Sequence, residues 1–394
     1  MNAADTMRDF LPEIQNSAIL IVDDNAINRL FLEKTLRHEG FTRLCMVETA
    51  EEALATMPQF NPDLVILDIM MPGMDGFQCC EIIRQKQAYR DLPILIQTTI
   101  TEPHLRVKAF TKGATDFISK PIYAEELCAR VRVHLENRHA LKSLQQYRNR
   151  IAVELGSARQ LQQAILPSAE ELEALDRHYR FALASYFKPS SEIGGDFWGA
   201  RRMFPHQLAL WLVDFSGHGV AAALNAFRLQ AYLKEHSDLA ARPGEYLSHL
   251  NDKLLHLLLR GQFATMFYGI ADTQSNQLFY SCACAPHPIL LRQATGKAEM
   301  VNGSGTPLGI GMHLYATQVT PFAAGDTLLL YSDALTETPG TNGECITEAA
   351  LMELLEQHAN ASASAIKEII VAYFKQHAGN ALRDDLTVVV GKRV

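Results

Sequence analysis

No stretch of this sequence stays apolar long enough to span a bilayer, and residues 1–16 lack the apolar segment that marks a secretory leader. A membrane partner is therefore not expected, and the expected location is cytoplasmic. Basic charge is also in short supply, with 36 Lys and Arg against 44 Asp and Glu and a net charge of −8. A duplex-binding output needs a basic surplus to neutralise phosphates, so no nucleic-acid partner is expected. The seven cysteines, at 45, 79, 80, 128, 282, 284 and 345, are scattered and odd in number. They form no paired CxxC knuckles, which argues against zinc and against a disulfide framework and suits a reducing compartment. Neither an internal repeat nor a low-complexity tract is evident.

What is present is a soluble composition, 48% hydrophobic and 20% charged, on a chain of 394 residues. That length exceeds one typical core and predicts two or three domains. From residue 18 to about 138, short apolar runs at 19–22, 64–67, 94–96 and 117–118 alternate with helix-periodic stretches such as 28–38 and 77–87. Strands alternating with helices predict an α/β, doubly wound parallel sheet.

From about 124 to 165 there is no proline and one interior glycine, Gly156. Leu144, Ile151, Ala158 and Ile165 recur every seven residues, and Leu141 and Leu155 fall on the matching second position. Arg148 and Gln162 interrupt this seam. The pattern predicts a helical coiled-coil linker and a homodimer formed through it, the alternative being one amphipathic helix packed on its own domains. Leu166-Pro167 ends the helix. Beyond it, β-rich stretches at 181–187, 208–213, 264–271, 278–283 and 327–331 interleave with helical blocks at 220–236, 245–260 and 347–376. Turns are expected at 272–276 and 325–326. An α+β layered domain with antiparallel sheets follows. The expected boundaries are a tail at 1–17, a first domain at 18–138, the linker at 139–166 and a last domain at 167–394.

Asp23 and Asp24 follow the first apolar run and Asp68 follows the second. In an open parallel sheet the C-terminal strand ends converge on one crevice. Three carboxylates there repel one another unless a cation lies among them, and magnesium is the hard ion that suits them. A phosphoryl donor on that metal would allow one carboxylate to attack phosphorus and form an acyl phosphate. Thr98 and Lys120, on two further strand ends, supply a hydroxyl and a cation for the resulting anion. Strand-end capping explains one such Asp but not the whole set.

With the runs Asp68-Ile-Met-Met-Pro-Gly-Met-Asp-Gly and Ser119-Lys120-Pro121, residues 18–138 resemble the receiver domain of response regulators. The resemblance implies a flavodoxin-like fold, Asp68 as phosphoacceptor, and Asp24, Asp68 and the Met70 carbonyl as magnesium ligands. Asp23 would act through water, and Thr98 would sense the phosphoryl group together with Phe117. A histidine kinase would be the partner. Thr99 departs from the small residue usual there.

The C-terminal region carries Asp at four separated places: Gly194-Gly195-Asp196, Val213-Asp214-Phe-Ser-Gly-His-Gly219, Tyr331-Ser332-Asp333 and Arg383-Asp384-Asp385-Leu-Thr387. Apolar strands lead into Asp214 and Asp333. Ligation by oxygen alone favours magnesium or manganese over zinc. Two such ions about 3.5–4 Å apart can activate a water for hydrolysis of a phosphate monoester. A turn or cap role is the ordinary reading of any one of these aspartates. His218 by itself is read as a loop hydrogen-bonder.

Residues from about 161 to 394 resemble the SpoIIE/RsbU branch of the type 2C (PPM) metal-dependent protein phosphatases. Beyond the aspartates, the match runs through Leu161-Gln-Gln-Ala-Ile-Leu-Pro167, Ala264-Thr-Met-Phe-Tyr-Gly269, Ala285-Pro-His-Pro288, Thr306-Pro-Leu-Gly309 and Tyr331-Ser-Asp-Ala-Leu-Thr-Glu337. It implies a four-layer α/β/β/α sandwich and two manganese or magnesium ions. Asp214 would bridge them, the Phe215 carbonyl would add a ligand to one, and Asp333 and Asp384 would hold the other. Asp196 would contact metal-bound water. Gly199, Ala334 and Ala285 depart from the family pattern without removing a ligand.

By this likeness the chain is a two-component response regulator in which Asp68 controls hydrolysis of phosphoserine or phosphothreonine on an anti-sigma factor antagonist. A non-enzymatic alternative exists, because the architecture also resembles RssB-type adaptors that bind a sigma factor or protease. Such an adaptor is expected to lack metal aspartates, whereas Asp196, Asp214, Asp333 and Asp384 are all present.

Overall fold

The computed structural model describes residues 12–99, 103–217, 219–235, 238–303, 305–341, 343–378 and 382–394. It divides into two compact units, residues 1–151 and 152–394. In the first, chain order runs α1 (Pro12–Gln15), β1 (Ile19–Val22), α2 (Ala26–His38), β2 (Leu44–Val47), α3 (Ala50–Phe60), β3 (Leu64–Asp68), α4 (Gly76–Gln85), β4 (Ile94–Thr99), α5 (Pro103–Thr111), β5 (Asp116–Lys120) and the start of α6 (Ala124–Gln163). The five strands form one parallel sheet in the order β2-β1-β3-β4-β5.

Burial explains why its central strands are unbroken apolar runs. Leu20, Val22, Val65, Leu67, Ile94 and Ile96 pack on one face against Ala53 and Met57 of α3 and Phe77, Cys80 and Ile83 of α4. The alternate residues Ile19, Ile21, Leu64, Ile66 and Leu95 pack on the other face against Leu32 and Leu36 of α2 and Leu127, Val131 and Leu135 of α6. With both faces covered, every side chain of β1 and β3 is buried, as in a doubly wound sheet. The edge strand β2 is only half-buried, and α3 carries an internal proline, Pro58. Neither stands out in the sequence pattern.

The second unit contains α7 (Ala169–Tyr179), β6 (Phe181–Lys188), β7 (Phe197–Phe204), β8 (Gln207–Phe215), α8 (Val220–Lys234), α9 (Pro243–Leu255), β9 (Ala264–Asp272), β10 (Gln277–Ala283), β11 (Ile289–Arg292), β12 (Lys297–Met300), β13 (Gln318–Pro321), β14 (Thr327–Tyr331), α10 (Ala334–Glu337), α11 (Glu348–Gln357), α12 (Ala363–Ala378) and β15 (Leu386–Arg393). Two five-stranded antiparallel sheets result, β13-β10-β9-β8-β7 and β12-β11-β14-β15-β6. Three apolar clusters give the layering. Leu210, Leu212 and Phe267 of the first sheet meet Leu290, Leu330 and Val389 of the second. The outer face of the first sheet packs on Leu229 and Leu233 of α8 and Leu247 and Leu250 of α9. That of the second packs on Leu351 and Leu355 of α11 and Ile366, Ile370 and Phe374 of α12. This is an α/β/β/α sandwich.

The helical block read at 347–376 is two helices, with His358 closing α11 and Ser362 capping the start of α12. The turn at 272–276 joins β9 to β10. Asp272 Oδ1 accepts from the Gln274 and Ser275 amides at 2.9 Å each, and Asn276 takes φ +55°.

The 40-residue α6 contains the seven-residue repeat as far as Gln162 and ends at Gln163, before Ile165. Leu141, Leu144 and Tyr147 are more than half exposed. The last repeat is used differently from the sequence reading: Gln162 is 1% exposed, and Ile165 packs on the α8–α9 cluster. These two positions are occupied within the chain's own second unit, so they do not belong to an intermolecular seam.

Candidate functional site

In the first unit the C-terminal ends of β1 and β3 deliver Asp23, Asp24 and Asp68 to one place, their carboxylate oxygens within 4.8 Å of one another. Among the described residues this is the one acidic group in which three carboxylates meet so closely. Asp23 and Asp68 are buried, while Asp24 is exposed. Lys120 at the end of β5 reaches in, with Nζ 2.6 Å from Asp68 Oδ2 and 3.4 Å from Asp23 Oδ2. Asp23 also accepts from the Asn25 amide at 2.8 Å and from Asn28 Nδ2 at 3.1 Å. Burial raises the Asp68 carboxyl above its ordinary range, and the Lys120 ammonium opposes that rise.

Thr98 lies buried at the end of β4, and the Met70 amide donates to Asp68 Oδ1 at 3.4 Å. Phe117 stacks edge-on against Phe110, with centroids 6.3 Å apart. Gly76 opens α4 so close to β3 that a Cβ there would lie 2.2 Å from the Asp68 carbonyl oxygen. The Thr99 side chain and His218 lie outside the described residues.

In the second unit the aspartates come from both sheets. Asp214 is near the end of β8, Asp333 follows β14, Asp384 and Asp385 precede β15, and Asp196 immediately precedes β7. They interact as like charges. Burial, then the Asp333 charge, pushes the Asp214 carboxyl up to about 7. Burial, then Asp384, pushes Asp333 up to about 6. Asp196, fully buried, is raised well above the ordinary range by desolvation and then by the charges of Asp214 and Asp385. Among the described residues no basic side chain forms an ion pair with Asp196, Asp214 or Asp333. Asp196 Oδ2 accepts from Thr387 Oγ1 at 2.6 Å, while the buried Oδ1 has no donor among the described residues. Oxygen-only donors, mutual repulsion and an orphaned buried carboxylate oxygen fit hard divalent cations. The Asp23, Asp24 and Asp68 trio fits one as well.

Asp385 does something else. Its Oδ1 accepts from the Ser190 amide at 2.8 Å and the Ser190 hydroxyl at 3.0 Å, and Oδ2 accepts from the Gly195 amide at 2.6 Å. It is a latch for the loop that presents Asp196. Both glycines of that loop are required by close approach. A Cβ on Gly194 would lie 2.0 Å from Asp385 Oδ2, and one on Gly195 would lie 2.9 Å from the Phe215 carbonyl oxygen. Ser332 Oγ links the two acidic segments, donating to the Asp385 carbonyl at 2.8 Å and accepting from the Thr387 amide at 2.9 Å.

Gln162, at the end of α6, brackets the same loop: its Nε2 donates to the Gly194 carbonyl at 2.7 Å and its Oε1 accepts from the Gly194 amide at 3.1 Å. Sequence reasoning missed Ser190, Ser332 and the role of Gln162. Thr387, Ser332 and Gln162 left a signal only as members of the runs Asp384-Asp385-Leu-Thr, Tyr331-Ser-Asp and Leu161-Gln-Gln-Ala-Ile-Leu-Pro167, and Ser190 left none.

Comparison with known proteins agrees with this division. The model of the response regulator receiver domain matches residues 19–132, and that of stage II sporulation protein E (SpoIIE) matches residues 205–394. The chain joins a response regulator receiver domain to a SpoIIE (PP2C) domain. The receiver is 36% identical over 129 residues to the transcriptional regulatory protein YvrH of Bacillus subtilis, covering 33% of this chain and 53% of that protein. It is 39% identical over 117 residues to the DNA-binding response regulator MtrA of Mycobacterium tuberculosis, covering 30% and 50%. The chain thus spans about half the length of the curated relatives it matches. The SpoIIE domain shares its fold with the SiaA-PP2C domain of Pseudomonas aeruginosa, at a TM-score of 0.55 and 22% identity over 63% of this chain and 98% of that one.

The loop geometry makes one prediction. Gly194→Ala should drive the Asp385 carboxylate off its donors and cost the SpoIIE domain about 1–3 kcal/mol, as overpacking does. Denaturant unfolding of the wild type and variant measures it, and an unchanged midpoint would remove Asp385 as the latch.

Proposed function

We propose that the chain is a response regulator whose SpoIIE domain is a metal-dependent protein serine/threonine phosphatase under the control of Asp68 phosphorylation. The observation that carries this reading is the convergence of Asp196, Asp214, Asp333 and Asp384, drawn from four distant segments, into one group of mutually repelling carboxylates. A merely structural domain has no use for that arrangement, because buried like charges destabilise it.

Asp214 would bridge two manganese or magnesium ions, with the Phe215 carbonyl adding a ligand to one and Asp333 and Asp384 holding the other. When bound, such ions supply Lewis-acid polarisation of the phosphoryl group and a water of lowered pKa. The chain's own contribution is positional. Asp385 and Gln162 fix the loop, and Thr387 fixes one oxygen of Asp196, leaving the other free toward the centre. In the receiver, Asp23, Asp24, Asp68 and the Met70 carbonyl would hold magnesium, with Asp68 as nucleophile toward a phosphoryl donor and Lys120 and Thr98 receiving the new anion.

The phosphodonor would be a histidine kinase. The substrate would be a phosphoserine or phosphothreonine protein of the anti-sigma antagonist class, placing the chain upstream of a sigma factor. No helix among the described residues is long and apolar enough to cross a membrane, which supports a cytoplasmic setting.

Hydrolysis of a chromogenic phosphate ester with manganese tests the activity. The wild type should turn over and Asp214→Asn should lose at least about a hundredfold, the scale on which a lost electrostatic group acts. Zero turnover in folded, metal-loaded wild-type protein would favour the adaptor reading instead. Acetyl phosphate should label the wild type with an acid-labile phosphate and change its turnover of the ester, and should do neither in Asp68→Asn. Label persisting in that variant would displace Asp68.

Exposed Leu141 and Leu144 on α6 support self-association through the linker. Light scattering should give a dimer for the wild type and a monomer for the Leu141→Glu/Leu144→Glu variant. Equal masses would end that part of the proposal.

A further inference from the structure

Gly199 departs from the acidic residue that the family resemblance leads one to expect, and the reason is a neighbour. A Cβ at that position would lie 2.2 Å from Trp211 Cζ2 and 2.9 Å from its Nε1. The indole of Trp211 on β8 therefore occupies the space over Gly199 on β7, and a side chain at 199 is excluded. The place where they meet is the wall of a pocket of about 180 Å³ in the SpoIIE domain, partly open to solvent and bounded on another side by Ile165 and Leu166, beyond the end of α6.

Three polar atoms of its lining residues are buried without a partner among the described residues: Trp211 Nε1, Gln230 Oε1 and Arg201 Nε. Trp211 and Gln230 are each only 5% exposed. Leaving such a group unsatisfied costs about 1–3 kcal/mol, so three gathered on one cavity need an explanation. Water is the ordinary one, but each buried water needs two to four polar partners. Three orphan atoms anchor few waters in a space this large, and Ile165 and Leu233 give it an apolar side. Of the other polar groups here, Lys234 also lines the cavity and Arg201 Nη1 donates to the Leu233 carbonyl. Gln230 Nε2 donates to the Ile165 carbonyl at 3.1 Å, and Glu171 closes a capping box on Ser168.

We propose that this cavity is a binding site for a small hydroxy- or amino-substituted carboxylate. Its carboxylate accepts from Trp211 Nε1–H and Arg201 Nε–H. Its hydroxyl or ammonium donates to Gln230 Oε1, and its short aliphatic body lies against Ile165 and Leu233. The site is separate from the aspartate centre and does not depend on catalysis there. It is linked to that region by hydrogen bonds from Gln230 to Ile165, from the Ile165 amide to the Gln162 carbonyl at 3.2 Å, and from Gln162 to Gly194.

The sequence has two tryptophans, so the full-length protein labelled with nitrogen-15 gives two indole N–H signals, and Trp211→Phe identifies which is which. L-lactate, L-serine and glycolate are the probes. At least one should shift the Trp211 signal saturably while the Trp198 signal stays in place. Gln230→Leu should weaken that binding about tenfold, the equivalent of one lost hydrogen bond. Gly199→Ala, which forces the indole out of position, should weaken it too and serves if the first variant does not fold. A Trp211 signal unmoved by all three probes at tens of millimolar means a water-filled cavity and overturns the proposal. So does a shift that both variants leave at full strength.

Discussion

Like charges brought together out of water are the constraint around which both halves of this protein are built. Each half ends apolar strands in aspartates and aims those strand ends at a common point, so hydrophobic burial of the strands forces carboxylates into proximity. Burial of a strand such as β3 or β8 is worth far more than the repulsion it imposes, since each fully buried aliphatic side chain contributes about 1.5–3 kcal/mol. The fold can therefore hold an unfavourable electrostatic arrangement in place.

The two halves offset the repulsion differently. In the receiver a cation is part of the chain: Lys120 contacts both buried aspartates, and the Asn25 amide and Asn28 side chain donate to Asp23. In the SpoIIE domain Asp196, Asp214 and Asp333 have no such ion pair among the described residues, and burial and their neighbours' charges lift all three above the ordinary carboxylate range. What the chain supplies there is rigidity. Asp385 gives both of its oxygens to the loop on either side of Gly194, Thr387 grips Asp196, and Ser332 ties β14 to β15. A carboxylate group that is fixed but not neutralised is poised for cations from solution, whereas one closed by a lysine is already partly compensated.

The fold was legible where the sequence pattern is driven by burial alone. The runs leading into Asp23, Asp68, Asp214 and Asp333 are continuous because both faces of their strands are covered, and a continuous run ending in Asp is visible without coordinates. Strands β2, β12 and β13 were not, because they are exposed or half-buried and carry no such signature, and β7, β11 and β15 were also missed although the last two are largely buried. The latch was invisible for another reason. Asp384 and Asp385 are adjacent and chemically identical, and only the close packing of Gly194 shows that Asp385 spends its oxygens on backbone amides.

Gln162 is the most instructive case. By spacing it is a flaw in a heptad seam, and an amide at such a position ordinarily costs stability in exchange for register. In the folded chain it is not on a free seam. It is buried, and its amide pairs with both the N–H and the carbonyl of Gly194, giving one donor and one acceptor to a loop whose third residue is Asp196. A helix end that is hydrogen-bonded to both backbone groups of one residue cannot rotate or slide without breaking both bonds, each worth about 0.5–1.5 kcal/mol when intact and more when a buried group is left unpaired. The residue that weakens the repeat is thus the one that ties the end of α6 to the loop presenting Asp196, and periodicity alone could not reveal it because its partner is backbone.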